Sequence, residues 1–249
     1  MIQSNAETQL FIKENIDKDV NSLLLQKNIP SGVDLKFAVR QIDAKKRAST
    51  KLPTLYANES FVFPSKLSVE QCSSELTAKY KSRFAVGKKV VDITGGLGID
   101  AIFMSEKADE ITYIEQNPEL VEIARHNFSL LKRHNIVIIN DNGIDHLTKY
   151  SGSRIDCVYA DPDRRIGKAG ADKKTVLFAD CVPDIAKNKD VILSKAATLL
   201  IKASPMLDIS EAVKELTHLA ALHCPNVKKS AKSVKFQIVL SMEQVYKNC

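Results

Sequence analysis

The segment VVDITGGLGID (90–100) restricts the fold of this chain more than any other feature of its sequence. An apolar run ends at Asp92, and Gly95, Gly96 and Gly98 follow it closely. Glycine adopts positive φ and has no Cβ to obstruct a ligand, so the pattern predicts a strand, a tight turn and a helix around a bound molecule. The spacing Gly96-x-Gly98-x-x-Ala101 also fits a dinucleotide site. A tight turn without a ligand is the structural alternative.

Short apolar runs alternate with helical patterns from residue 88 onward. Asn117 and Pro118 are typical of the first positions of a helix. This alternation predicts an α/β fold, in which a parallel sheet carries helices on both faces and ligands bind at the carboxyl ends of the strands. The predicted strands are 88–94, 110–115, 137–140, 155–161, 198–204 and 235–241.

The N-terminal part of the chain has a different pattern. Apolar residues recur at helical spacing within 1–50, namely Leu35, Ala38, Val39 and Ile42. A connector with two prolines follows at 51–67, and Ser68 with Gln71 predicts the start of a helix that runs to about Phe84. We therefore predict a helical region and connector over 1–66 and a catalytic domain over 67–249.

Four acidic residues come at the ends of four successive predicted strands: Asp92, Glu115, Asp141 and Asp161. Each one alone is more typical of a helix cap or a surface group. Together they favour a ligand site, because the carboxyl ends of parallel strands lie at one edge of a sheet. Carboxylates suit a cationic sulfonium with a free amino group, whereas they repel a pyrophosphate. The pattern therefore favours S-adenosylmethionine over NAD.

Four segments resemble motifs I to IV of class I methyltransferases, which have a Rossmann-like seven-stranded sheet. The segments are VVDITGGLGID (90–100), YIEQNP (113–118), INDN (139–142) and YADPDRR (159–165). The resemblance implies that Asp92, Thr94, Gly95, Gly96 and Gly98 surround the methionine part of adenosylmethionine. It implies that Glu115, with Gln116 beside it, holds the ribose and that Asp141 and Asn142 border the adenine. It also implies that Gln71, Ser73 and Ser74 close the pocket.

More narrowly, the chain is similar to a bacterial methyltransferase family with a THUMP-like domain after the catalytic domain, and more distantly to trimethylguanosine synthase. The segments that carry this resemblance are KLPTLY, EQCSSELTAKYK, DITGGLGID, YIEQNPEL, ADPDRR, DCVPD and IKASPMLDI, within about residues 40–210. This chain ends at Cys249, so we expect the THUMP-like domain to be missing. The segment after Leu219 matches the family poorly.

The acceptor site is predicted at Asp161-Pro162-Asp163-Arg164-Arg165. Enzymes that methylate exocyclic amines commonly have an aromatic residue here, and this chain has none. The two arginines could stack on a base or clamp a phosphate, or one of them could simply pair with Asp163 or Asp184. Ser204 stands where carbon-5 methyltransferases often have a cysteine, so a nitrogen or oxygen acceptor is favoured. Asp161 is the candidate for orienting the acceptor; Lys202 is a second candidate or a salt-bridge partner.

Charge and cysteine content bear on partners and location. The net charge is +6, with nine basic against six acidic residues in 1–51 and five against one in 225–249. Basic ends favour RNA, either tRNA or rRNA, although a solubilising surface explains them too. Five scattered cysteines, no C-x-x-C pair and no apolar span predict a cytoplasmic protein without a metal site. The alternatives are methylation of a small molecule or protein, and a non-catalytic RNA-binding protein.

Overall fold

The structure is a computed structural model that describes residues 5–164, 177–203, 214–216, 221–224, 227–230 and 236–240. For Arg164 and the last three segments it describes the backbone alone. The chain forms two compact units. The first comprises Met1–Glu75, Gly96–Ile99 and Asn117–His134, and the second comprises Leu76–Gly95, Asp100–Gln116 and Asn135–Cys249.

Helices dominate the first unit. They are α1 (Ala6–Glu14), α2 (Val20–Leu24), α3 (Leu35–Lys51), α4 (Pro53–Tyr56), α5 (Lys66–Gln71) and α8 (Pro118–Leu130). The predicted helical face of α3 is confirmed, because Ala38, Val39 and Ile42 are buried together with Phe11 and Leu23. Asn117 caps α8 as predicted, and its side chain accepts a hydrogen bond from the Glu119 amide.

The predicted single helix from Ser68 to about Phe84 is wrong. Helix α5 starts earlier, since its N-cap is Ser65, whose side chain accepts from the Ser68 amide. Cys72 has an extended backbone (φ −64°, ψ 165°), which ends α5, and α6 (Glu75–Lys81) is a separate helix. A capping-box pattern therefore occurs inside a helix here, because the serine three residues upstream caps it instead.

Five parallel strands form the central sheet of the second unit, in the order β3-β2-β1-β4-β7. They are β1 (Lys89–Asp92), β2 (Glu110–Ile114), β3 (Ile136–Ile139), β4 (Ile155–Ala160) and β7 (Ala196–Ala203). The α/β prediction with a parallel sheet is confirmed. Helices α7 (Ile99–Met104), α9 (Gly143–Lys149) and α10 (Ile185–Lys195) lie between these strands in the sequence.

The prediction of seven strands is wrong: the central part of the sheet, from β3 to β7, has five strands. Beyond β7 the backbone continues the sheet with three short strands, β10 (Phe236–Leu240), β8 (Ala221–Cys224) and β9 (Val227–Ser230). Strands β8 and β9 are antiparallel neighbours. The sequence of β9, VKKS, lacks the apolar alternation that would have marked it as a strand. A separate two-stranded sheet pairs β5 (Asp163–Arg164) with β6 (Cys181–Val182).

Burial explains why the five central strands are recognisable in the sequence. Strands β1, β2 and β4 are almost wholly buried, as expected for a parallel sheet covered on both faces. Val91, Ile114 and Val158 of these strands belong to the hydrophobic core, together with Leu199 and Ile201 of β7. Among the described residues, no helix combines the length and the apolar character that a membrane crossing requires.

Candidate cofactor and acceptor site

The four predicted acids lie at the end of neighbouring strands or just after it, at one edge of the sheet. Strand β1 lies between β2 and β4, and Asp92 is in register with Tyr113 on one side and Tyr159 on the other. The strands are all parallel, but β2 and β3 lie on one side of β1, whereas β4 and β7 lie on the other. The strand order therefore reverses at the boundary between β1 and β4, which makes it the topological switch point. Ligands of open α/β sheets bind outside the carboxyl ends of the strands at such a point. The structure thus brings together the regions that follow β1, β2, β3 and β4.

Asp92 is buried beneath the turn that follows β1. Its side chain is enclosed, with 1% relative exposure. Its Oδ1 accepts hydrogen bonds from the Thr94 amide at 3.0 Å and the Thr94 hydroxyl at 3.3 Å. Burial raises the pKa of Asp92 to about 8, and the nearby carboxylates of Asp100 and Asp161 add to the shift. The carboxyl group therefore shapes the turn instead of facing an open pocket.

Thr94 connects the ends of β1 and β4. Its hydroxyl donates to Asp92 and accepts a hydrogen bond of 2.7 Å from the Asp161 amide. A hydroxyl can do both because it has one proton and two lone pairs. This side chain therefore links the predicted cofactor turn to the predicted acceptor strand by hydrogen bonds.

The three glycines of the turn are needed for different reasons. A Cβ on Gly95 would lie 2.4 Å from Cε2 of Tyr113, which is fully buried. The Gly95 amide also donates to the Ile114 carbonyl of β2 at 2.9 Å. Gly96 and Gly98 have positive φ values of 54° and 80°, which disfavour residues with a Cβ. Gly95 therefore permits a close approach, whereas Gly96 and Gly98 permit the bend.

The segments after β2 and β3 are joined by an amide that the sequence prediction missed. The side-chain nitrogen of Asn140 donates to the backbone oxygens of Glu115 and Gln116, at 2.8 Å and 3.1 Å. The side chain of Glu115 is half-buried and that of Gln116 is exposed. An asparagine directly after a strand is the signal that could have identified this link, since its amide readily bonds to nearby backbone.

Asp141 and Asn142 lie where the resemblance implies an adenine border. Asn142 caps α9, because its Oδ1 accepts from the amides of Ile144 at 2.9 Å and Asp145 at 3.2 Å. Asp141 accepts from the Asn142 amide at 2.7 Å, and its Oδ2 is 4.0 Å from Nδ1 of His146. Asn142 therefore has a helix-capping role whatever else it binds.

Three predicted pocket residues belong to the first compact unit. Gln71 is exposed and ends α5, while Ser73 and Ser74 lie between α5 and α6. Ser73 is buried. Gly96 and Gly98 also belong to the first unit. The strand-end residues of the second unit are thus the part of the predicted site that the structure brings together.

The two acceptor-site candidates form an ion pair. Nζ of Lys202 on β7 donates to Oδ2 of Asp161 at 2.8 Å, and both side chains are largely buried. Pro162 follows Asp161, and Asp163 is exposed on β5. The backbone of Arg164 pairs with Cys181, and Arg165 lies outside the described residues. Asp184 caps α10 by accepting from the Lys187 amide at 2.9 Å.

The sequence matches the family model described as Conserved hypothetical protein 95 over residues 64–224. The chain belongs to this family. The match begins before α5 and includes β1 to β4, β7 and every strand-end acid described above. No curated protein matches the sequence.

Solved structures also match this chain. The putative methyltransferase of Porphyromonas gingivalis W83 is 32% identical, with a TM-score of 0.69, over 86% of this chain and 54% of that one. The chain therefore spans about half the length of this relative. An rRNA methylase of Streptococcus thermophilus is 18% identical (TM-score 0.37, 55% of this chain, 74% of that one). A SAM-dependent O-methyltransferase of Thermotoga maritima is 13% identical (TM-score 0.45, 60% and 51%).

Proposed function

We propose that this member of the Conserved hypothetical protein 95 family is an S-adenosylmethionine-dependent methyltransferase. The observation that carries the proposal is the arrangement around Thr94, which joins Asp92 at the end of β1 to Asp161 after β4 at the topological switch point. The similarity to the Porphyromonas gingivalis protein supports it. The glycine turn and the THUMP-like resemblance of the sequence agree with the same function.

The residues at the strand ends fit this cofactor. Gly95 allows the turn to pack closely on Tyr113, and Glu115 follows β2 with its side chain half-buried. A carboxylate at this position is suited to accept hydrogen bonds from ribose hydroxyls. Asp141 and Asn142 would border the adenine, and Asp92 would hold the turn through Thr94.

The reaction places one demand on the acceptor site. Adenosylmethionine supplies a methyl group on a positively charged sulfur. An acceptor nitrogen that takes the methyl group must lose a proton, so a base or a path to water has to be near it. Asp161 is our candidate for orienting the acceptor and receiving this proton. The bond from Lys202 holds its carboxylate in one orientation.

RNA is our proposed acceptor, and a base nitrogen is favoured over carbon 5. The basis is the net charge of +6, because a positive protein attracts a polyanion. The missing aromatic residue after Asp161 leaves stacking to Arg164 or Arg165. We also propose that the catalytic domain begins at residue 67 and that the helical region before it is not part of that domain.

Calorimetric titration with S-adenosylhomocysteine tests the cofactor assignment. The wild-type chain is compared with Glu115→Ala and with Glu110→Ala, which changes the glutamate that opens the same strand. Since ligands bind at the carboxyl ends, we expect Glu115→Ala to weaken binding by about tenfold and Glu110→Ala to leave it unchanged. A folded wild-type chain that does not bind the nucleoside would overturn the proposed function. Equal losses in both variants would reject the assignment of Glu115.

A further inference from the structure

Three polar side chains form a buried network beside the proposed site. Lys81, at the end of α6, has no exposed surface. Its Nζ donates to Oη of Tyr159 at 2.6 Å and lies 2.6 Å from Oδ1 of Asp100. The Tyr159 hydroxyl in turn donates to Oδ2 of Asp100 at 3.0 Å. The ammonium also lies 5.0 Å from the centre of the Tyr159 ring.

Protonation is consistent with this donor and acceptor pattern. Burial raises the pKa of Tyr159 well above its ordinary value, so the hydroxyl keeps the proton that it donates to Asp100. Burial lowers the pKa of Lys81, and the adjacent carboxylate of Asp100 opposes this shift. The attraction between Lys81 and Asp100 therefore offsets part of the cost of burying the Lys81 amine.

A network of this kind is a poor way to stabilise a protein. The cost of removing two charges from water often exceeds their attraction, and apolar side chains of similar size commonly replace a buried ion pair without loss of stability. The positions of Lys81, Asp100 and Tyr159 are buried and surrounded by the sheet and its helices, so apolar residues would suit them. Their polarity therefore calls for an explanation other than stability.

The location of the network suggests the explanation. Asp100 lies in the first turn of α7, directly after the glycine turn, and Tyr159 lies on β4 two residues before Asp161. Lys81 is close enough to Asp161 and Asp92 to influence them electrostatically. The Lys81 side chain therefore contacts both α7, which follows the glycine turn, and β4, which leads to the acceptor site.

We propose that Lys81 is a positioning residue of the cofactor pocket, which fixes the start of α7 relative to the end of β4 by bonding Asp100 and Tyr159 together. This inference rests on the proposed function, because it requires that these two elements border the cofactor. Directional bonds define a distance and an angle more narrowly than apolar packing does. Displacements of an ångström or less in such supporting residues weaken binding and catalysis strongly.

Two double variants separate positioning from a structural role. Lys81→Met with Asp100→Leu replaces the network by apolar packing, and we expect a melting temperature at or above that of the wild type. The dissociation constant for S-adenosylhomocysteine should nevertheless rise by about tenfold. Lys81→Gln with Asp100→Asn keeps neutral hydrogen-bonding groups, and it should restore the constant to within about threefold of wild type. Calorimetry and thermal unfolding measure both quantities.

A single variant covers the case in which a double variant fails to fold. Tyr159→Phe keeps the ring and removes the hydroxyl that links Lys81 and Asp100 to β4. It should raise the dissociation constant for S-adenosylhomocysteine to a value between those of the two double variants. Unchanged binding in a folded apolar double variant, or in Tyr159→Phe, would overturn the inference and leave the proposed function standing. Absence of binding in the folded wild-type chain would instead overturn the proposed function and this inference with it.

Discussion

At the scale of single residues, Asp92 shows how burial changes the meaning of a recognisable motif position. Its place at the end of β1 marks it as a candidate cofactor ligand, yet its side chain is enclosed and bonded to Thr94. Its pKa is about 8 in the folded protein, against about 3.9 for an unperturbed aspartate. Between these two pH values the folded chain keeps a proton that the unfolded chain has lost. Stability from this group therefore falls as pH rises from about 4 to about 8.

Asp92→Asn should abolish this pH dependence, because the amide does not titrate and still offers an oxygen to the Thr94 amide. Relative to the wild type, the free energy of unfolding of the variant should increase with pH between 5 and 7. The expected slope is up to about 1.4 kcal/mol per pH unit, the value for one proton. Urea unfolding at pH 5, 6 and 7 measures it.

Asp109→Asn is the matched control, since this carboxylate is exposed and in an ion pair at 3.7 Å with Lys88. The difference in free energy of unfolding between this variant and the wild type should be the same at all three pH values. If the free-energy difference between Asp92→Asn and the wild type is also constant with pH, Asp92 is ionised in the folded chain.

At the scale of elements, the segment 61–63 of the first unit is buried without belonging to a helix or strand. Its backbone groups form hydrogen bonds with side-chain amides, in place of those that a neighbouring strand would supply. Asn127 of α8 accepts from the Val62 amide at 3.0 Å and donates to its carbonyl at 2.9 Å. Gln41 of α3 bonds the amide and carbonyl of Phe63 in the same way. Buried backbone groups need such partners, because an unpaired one costs about 1–3 kcal/mol.

Asn127→Leu should destabilise the chain by about 2–4 kcal/mol, because it leaves the amide and carbonyl of Val62 without their partner. Equilibrium urea unfolding measures the loss. Asn28→Leu, at an exposed position, serves as the control and should change stability by about 0.5 kcal/mol or less. A loss below about 1 kcal/mol for Asn127→Leu would mean that water or a rearranged backbone satisfies these groups.

At the scale of the whole molecule, net charge connects the chain to its proposed acceptor. The charge of +6 should attract RNA, and this attraction depends on the release of counterions. We expect the affinity for bulk tRNA to fall by about tenfold or more between 50 and 200 mM salt. Fluorescence anisotropy with labelled tRNA measures it.

Binding of S-adenosylhomocysteine over the same salt range is the internal control, since this ligand is a small zwitterion and should lose little affinity. Nucleoside binding without RNA binding at 50 mM salt would contradict RNA as the acceptor. It would favour a small molecule or a protein in its place.

Local chemistry made the parallel sheet and the glycine turn predictable from the sequence. Buried strands are continuous apolar runs, and tight turns need glycine, so both leave marks that a single sequence displays. The five central strands and the cap at Asn117 were identifiable for this reason. The strand-end acids could also be aligned, because parallel strands end at one edge of a sheet.

Only the tertiary structure decided which polar groups meet. Nothing in the spacing of Lys81, Asp100 and Tyr159 indicates a network, since the first two residues occur at ordinary helix positions and the third in an apolar strand. The enclosure of Asp92, the link from Thr94 to Asp161 and the break after α5 are likewise consequences of packing. Helix and strand periods are properties of neighbouring residues, whereas burial and hydrogen-bond partners depend on residues far apart in the chain.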